Sequence, residues 1–226
     1  MDMDTYKLTY FDLRGIAEPI RLIFRYANIP FEDCKVNFEL WKDVKHNFKW
    51  QQLPILEHNG KTLTQSVGIS RFLASKFELK PQISGNSEET AWVDAKCDEI
   101  VGAIHDLRLQ MKPFIHSKMG VENPEDGDML KNTLLTSTVP RFLENLTEIL
   151  IQLRQNGSVD ESGNFIFGKK PTWPDFWLAH FTHQWSEVLE EPQLLDKYDL
   201  LKKQQEEVYN LPGVAEWIKE RPDSFI

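Results

Sequence analysis

The sequence predicts an α/β N-terminal domain over residues 1–80 followed by an all-α helical-bundle domain over residues 88–226. Three observations carry that prediction. Strand and helix signals alternate from Tyr6 to about Leu79, whereas strand signals nearly vanish beyond residue 87. Between the two textures, Lys80-Pro81 and Ser84-Gly85-Asn86 make residues 81–87 read as a linker. In the second part, apolar residues recur at helical spacing, as in Trp92, Ile100, Ile104 and Leu107.

The elements follow in order. Lys7-Leu-Thr-Tyr-Phe11 reads as a short strand and Asp12-Leu-Arg-Gly15 as a turn. Ala17 to Ala27 reads as a helix that tolerates Pro19 in its first turn. Phe31 to Val36 adds a second strand and completes a β-α-β unit. Leu53–Glu57 and Lys61–Thr64 flank His58-Asn59-Gly60, and Asn-Gly is a strong hairpin signal. Ser66 is expected to N-cap a helix to about Phe77, with Ile69, Phe72 and Leu73 inward. A β-α-β unit, then a hairpin, then a helix is the order of a thioredoxin-like fold.

In the helical part, Leu135, Val139, Phe142, Leu146, Ile149, Leu150 and Leu153 mark one longer helix. Thr172 and Asp175 form the sequence pattern of a capping box, with Pro171 and Phe176 able to staple around it. Polar loops are expected near Gly120–Asp128 and Gln155–Gly163.

Composition narrows the function. The 226 residues are 41% hydrophobic with 14 Phe and 7 Trp, enough for a substantial core. The net charge of −9 argues against nucleic acid and anionic membranes as partners. Residues 1–82 carry 12 basic and 10 acidic side chains, so the acidity is concentrated in the remainder; a small anionic ligand bound by the first part and mere compositional drift both account for that split. No apolar run is long enough to span a bilayer, and no secretory signal is visible at the start. Cys34 and Cys97 form neither a CxxC nor a zinc spacing, so a reduced cytoplasmic setting is expected. His180 and His183 share a helix face without a recognisable third ligand, and no metal is expected.

Tyr6-Lys-Leu-Thr-Tyr-Phe11, Arg14-Gly-Ile-Ala-Glu18 and Arg21 open the chain; Trp50-Gln-Gln-Leu-Pro-Ile-Leu-Glu57 and Gln65-Ser66-Val-Gly-Ile69 continue it. Thr172-Trp-Pro-Asp175 and Leu211-Pro-Gly-Val-Ala-Glu-Trp217 follow in the second part. In this order and spacing the motifs resemble the cytosolic glutathione S-transferases, specifically a sigma-like, prostaglandin D synthase-like class. The resemblance implies the glutathione transferase fold and a detoxification enzyme, a homodimer, that joins glutathione to hydrophobic small-molecule electrophiles.

The same resemblance implies a site. Tyr10 stands where a thioredoxin-like oxidoreductase would begin a CxxC, and would be the catalytic residue. Its phenol can donate a hydrogen bond to sulfur and favour thiolate over thiol, whose free pKa is about 8.5. Pro54 resembles the family's cis-proline, which would free the backbone of Leu53 for the tripeptide's cysteinyl part. Gln65 and Ser66, at a helix start, would hold the γ-glutamyl carboxylate. Trp41 and Lys45, with Gln52 nearby, would approach the glycyl carboxylate. Phe11, Leu13, Ile104, Arg108, Trp177 and Phe181 would line an apolar electrophile site.

Some positions depart from the family. Ile16 stands where sigma-class relatives often have an arginine that aids the thiolate, and Gly102 where many have an aspartate reaching the neighbouring subunit's glutathione. Gln51 replaces a usual glycine and Gly68 an alanine. Trp50 is either a key inserted into a partner subunit or a cover for its own loop. Two other functions use the same scaffold: a glutathione-dependent isomerase acting on an endoperoxide, and a weakly active ligand-binding or structural relative.

Overall fold

A computed structural model describes residues 4–82, 87–155 and 162–224. The chain divides into two compact units, residues 1–80 with 209–226, and residues 81–208.

The first unit holds a four-stranded sheet in the order β2-β1-β3-β4. Strand β1 (Tyr6–Phe11) lies parallel to β2 (Glu32–Val36), and α1 (Glu18–Tyr26) falls between them in the chain. Strand β3 (Ile55–His58) runs antiparallel to β1 and to β4 (Lys61–Thr64), across the Asn59-Gly60 turn. Helix α2 (Phe38–Val44) follows β2, and α3 (Ser66–Lys76) follows β4. Strand alternation sends Tyr6, Leu8 and Tyr10 to one face. On that face Tyr6 meets Phe24 of α1 at 5.3 Å and Phe77, just past α3, at 5.8 Å. Phe11 points the other way, stacked on Phe38 at 4.1 Å.

Ser66 is not the N-cap of α3. It is the first helical residue, and Gln65 occupies the cap position without a side-chain capping bond. The cap-type side chain thus sits one place inside the helix and is buried.

The C-terminal segment was expected in the helical domain, yet it groups with the first unit. Its helix α9 (Val214–Glu220) packs on α1 for a stereochemical reason. Gly213, at φ +78°, lies so close to α1 that an added Cβ would come within 2.2 Å of Arg25 O. The Arg25 guanidinium also lies 4.3 Å from the Trp217 ring centre.

The second unit contains α4 (Ser87–Lys118), α5 (Gly127–Thr133), α6 (Val139–Gln155), α7 (Trp173–Leu189) and most of α8 (Asp199–Tyr209). The inward stripe of α4 passes through Val93, Cys97, Ile100, Ile104 and Leu107, while Trp92 is exposed. The stripe of α6 runs Val139, Leu143, Leu146, Leu150 and Leu153, leaving Phe142 at its edge against Trp185. Leu135 falls outside that helix: Leu134–Thr138 form a π turn in which Val139 N–H bonds Leu134 O, five residues back. Pro140 explains the widened turn, because it has no N–H to continue the regular ladder.

Helix α7 is buried on nearly every side, which makes it the centre of this unit. Its start forms the expected capping box between Thr172 and Asp175. Asp175 Oδ2 accepts from Thr172 N at 2.8 Å and from Thr172 Oγ1 at 2.7 Å, and Asp175 N–H also donates to Thr172 O at 2.9 Å. Asp175 Oδ1 accepts from Ile166 N and from Gln204 Nε2. The expected loop at 120–128 contains a short 3-10 turn at Pro124–Asp126 and the first residues of α5. Ser84-Gly85-Asn86 of the linker, and residues 156–161 of the second loop, lie outside the described residues.

Candidate functional site

Strand register gathers the first group of site residues. Thr9 pairs with Ile55, and Ile55 pairs with Thr64. One residue beyond that row stand Tyr10, Pro54 and Gln65, all at the same end of the sheet. The central strand, the cis-proline position and the start of α3 therefore converge because the register makes them neighbours.

Tyr10 is 7% exposed and faces the start of α1. An added Cβ at Gly15 would stand 2.7 Å from Tyr10 Oη, so the hydroxyl lies directly against that glycine. Gly15 has φ +44°, a left-handed conformation that suits glycine. Behind the phenol, the Arg21 guanidinium carbon lies 6.0 Å from the ring centre. Arg21 is itself almost fully buried, paired with Glu18 at 3.2 Å and Asp33 at 3.0 Å. A buried cation whose charge is balanced this way holds its place and donates to the turn before α1. Arg21 Nη1 reaches Leu13 O at 2.9 Å and Arg14 O at 3.3 Å.

The Leu53–Pro54 peptide is cis. Leu53 and Pro54 are buried, and Gln52 beside them is exposed. Gln65 Nε2 donates to Gln52 Oε1 at 3.4 Å, so these two amides stand together at the surface. Gln65 has φ +70° and Gln51 φ +49°, both in the region that disfavours side chains. A non-glycine residue in that region costs about 1–3 kcal/mol. At Gln51 a glycine would relieve that strain. At Gln65 the turned backbone opens the N-terminus of α3, where free amide hydrogens favour an anion.

Trp41 and Lys45 occupy one face, as their four-residue spacing requires, and Lys45 N–H bonds Trp41 O. Trp41 packs edge-on to Phe11 at 5.4 Å and against Phe48 at 5.3 Å, while the Lys45 side chain is exposed. Of the expected electrophile residues, Phe11 and Leu13 lie in the first unit and are half-buried. In the second unit Ile104, Trp177 and Phe181 have no exposed surface; Trp177 stacks on Phe181 at 5.7 Å. Arg108 retains partial exposure. His183 pairs with Glu187 at 3.3 Å and His180 is buried, and no group of three metal-ligating side chains occurs among the described residues.

Two features escaped the sequence reading. Phe38, 55% exposed, extends the aromatic surface begun by Phe11. Its place at the start of α2, one residue past the Asn37 cap, was the available signal. In the sequence Gly15 marks only a turn; its contact with the phenol exists only in the folded chain.

With this geometry in view, two comparisons of sequence and one of structure agree. Residues 6–75 match the glutathione S-transferase N-terminal domain and residues 105–221 the C-terminal domain. A probable glutathione S-transferase 8 of Caenorhabditis elegans is 33% identical over 220 residues, covering 97% of this chain and 98% of the relative. The hematopoietic prostaglandin D synthase of Homo sapiens is 34% identical over 224 residues, covering 98% and 99%. Monomeric Na-GST-3, a glutathione S-transferase of the hookworm Necator americanus, superposes with a TM-score of 0.81 at 30% identity, over 98% of this chain and all of that one.

Proposed function

Because this chain belongs to the glutathione S-transferase family and is a glutathione transferase, we propose that Tyr10 is the residue that ionises the glutathione thiol. The reading rests on one observation: Tyr10, one residue before the end of β1, sets its hydroxyl against Gly15 in the turn that leads into α1. A fixed phenolic O–H aimed at a sulfur stabilises the thiolate without having to be ordered at the moment of reaction. The proton leaves to solvent, and sulfur attacks the electrophilic carbon. With a chlorodinitrobenzene acceptor a carbon–sulfur bond forms and chloride departs.

The rest of the tripeptide is assigned by the chemistry of the neighbouring groups. Leu53, beside Pro54, offers backbone to the cysteinyl part; Gln65 and Ser66 hold the γ-glutamyl carboxylate; Gln52, Trp41 and Lys45 meet the glycyl end. Phe11, Leu13 and Phe38 present apolar and aromatic surface for a hydrophobic electrophile. The enzyme works in the cytoplasm, in detoxification, as a homodimer in which the exposed Trp50 is a contact. The monomeric hookworm relative makes that last part a direct question for sedimentation, and a single-chain mass at micromolar concentration would refute it.

Tyr10→Phe is the test of the central claim. It should keep glutathione binding and lose most conjugation turnover. Full retention of rate would remove the hydroxyl from the mechanism. The likeness to the human prostaglandin D synthase supports isomerisation of an endoperoxide as a second reading, which the same thiolate would serve. Product analysis separates the two.

A further inference from the structure

The turn that bounds the Tyr10 hydroxyl is held from two sides. From within the sequence neighbourhood, Arg21 donates to Leu13 O and Arg14 O. From more than two hundred residues away, the C-terminal segment grips the same turn. Arg14 N donates to Ser224 Oγ at 3.3 Å, Arg14 Nε to the same oxygen at 3.1 Å, and Arg14 Nη2 to Ser224 O. Glu18, 1% exposed, accepts at Oε1 from Trp217 Nε1 at 2.9 Å and from Arg221 Nη1 at 3.0 Å, and at Oε2 from Arg21. Arg14, Glu18 and Arg21 are all at least nine-tenths buried. A turn whose charged side chains are buried and paired in this way has few alternative arrangements available.

We propose that the C-terminal segment positions the catalytic tyrosine: Ser224 on Arg14, and Trp217 with Arg221 on Glu18, fix the Leu13–Gly15 turn against which the phenol lies. These are positioning residues, since none of them is assigned a contact with the thiol. The proposal rests on Tyr10 being the activating group, and it adds a determinant that lies outside the glutathione-binding set. The chain of contacts is short. Ser224 touches Arg14, Arg14 adjoins Gly15, and the Gly15 backbone limits where Tyr10 Oη can sit. Loosening the grip lets the turn and the hydroxyl drift, weakening a hydrogen bond whose strength depends steeply on geometry.

The experiment is an ultraviolet thiolate titration of enzyme-bound glutathione, with the pH profile of kcat/KM. It is run on the full chain as wild type, Ser224→Ala, Ser224→Thr, Trp217→Phe, Tyr10→Phe and Tyr10→Phe/Ser224→Ala. Ser224→Ala and Trp217→Phe should each raise the bound thiol's apparent pKa by about 0.3 to 1 unit, a roughly 2- to 10-fold loss of thiolate below that pKa. The KM for glutathione should change much less. Ser224→Thr, which keeps the hydroxyl, should behave as wild type. In the Tyr10→Phe background Ser224→Ala should add no shift. If Tyr10→Phe raises the thiol pKa but the tail variants leave it unchanged, whatever they do to Tm, the segment is structural only and the proposal fails. If Tyr10→Phe itself leaves the thiol pKa unchanged, the fault lies with the tyrosine assignment, and the positioning role falls with it.

Discussion

Replacing Gly15 by alanine moves the Tyr10 hydroxyl without removing it. The new Cβ would start 2.7 Å from Tyr10 Oη and 2.8 Å from Leu13 Cδ1, at a residue with φ +44°. Ordinary contact needs about 3.4 Å or more, so the phenol must retreat by roughly 0.7 Å or the turn must open. The left-handed backbone adds about 1–2 kcal/mol of destabilisation, enough to lower Tm by roughly 2–8 °C in a chain of this size. A displacement of that size forfeits most of a hydrogen bond to a charged sulfur, worth about 1.5–3 kcal/mol. Turnover with a chlorodinitrobenzene acceptor should fall by about 10- to 150-fold. Tyr10→Phe sets the floor, because it removes the whole bond. The assay is kcat/KM for Gly15→Ala beside Tyr10→Phe, with Tm measured on both. A Gly15→Ala enzyme that loses stability but keeps wild-type turnover and thiol pKa would refute the link between turn and hydroxyl.

Two further expectations concern stability. An added Cβ at Gly68, inside α3, meets nothing within 4 Å, so Gly68→Ala should stabilise the fold by about 0.5–1 kcal/mol; an unchanged or lower midpoint in denaturant would count against it. Asp175 is fully buried, and burial holds its carboxyl above the ordinary value while hydrogen bonds from Ile166, Thr172 and Gln204 oppose that shift. The folded chain then keeps a proton that the unfolded chain has released. Its contribution to stability falls as pH rises from 3.8 toward the folded value. The stability advantage of wild type over Asp175→Asn should therefore be largest in acid and shrink through that window. A gap that widens with pH would reverse the sign of the assignment.

Local chemistry explains what was legible in the sequence. The β-α-β unit, the Asn59-Gly60 hairpin and the Thr172–Asp175 helix start are short-range patterns, and each is where its residues place it. Errors of one residue arose where two apolar or cap-type side chains are adjacent. Trp92 keeps helical spacing with Ile100, Ile104 and Leu107, yet Val93 beside it is the buried one; Leu134 is buried before Leu135, and Gln65 rather than Ser66 holds the cap position of α3. Spacing alone cannot choose between such neighbours; packing does. Tyr10, Pro54 and Gln65 each belong to a recognisable local motif, and the strand register brings those positions to one end of the sheet. The buried pairing around Glu18 was not legible, since Trp217 and Arg221 stand some two hundred residues away and nothing local announces their return.

That return has a consequence for how the protein is made. The sheet-bearing unit is discontinuous: its first eighty residues leave the ribosome long before the helix that covers α1. Until residues 217 and 221 emerge, the Glu18 carboxylate has only Arg21 among its three partners. The helical unit, contiguous in sequence from residue 81 to 208, has no such wait and can consolidate first. Assembly of the Tyr10 end of the sheet is thereby tied to the arrival of residues 217–224, and a nascent polypeptide halted before them would carry the tyrosine without those contacts around its turn.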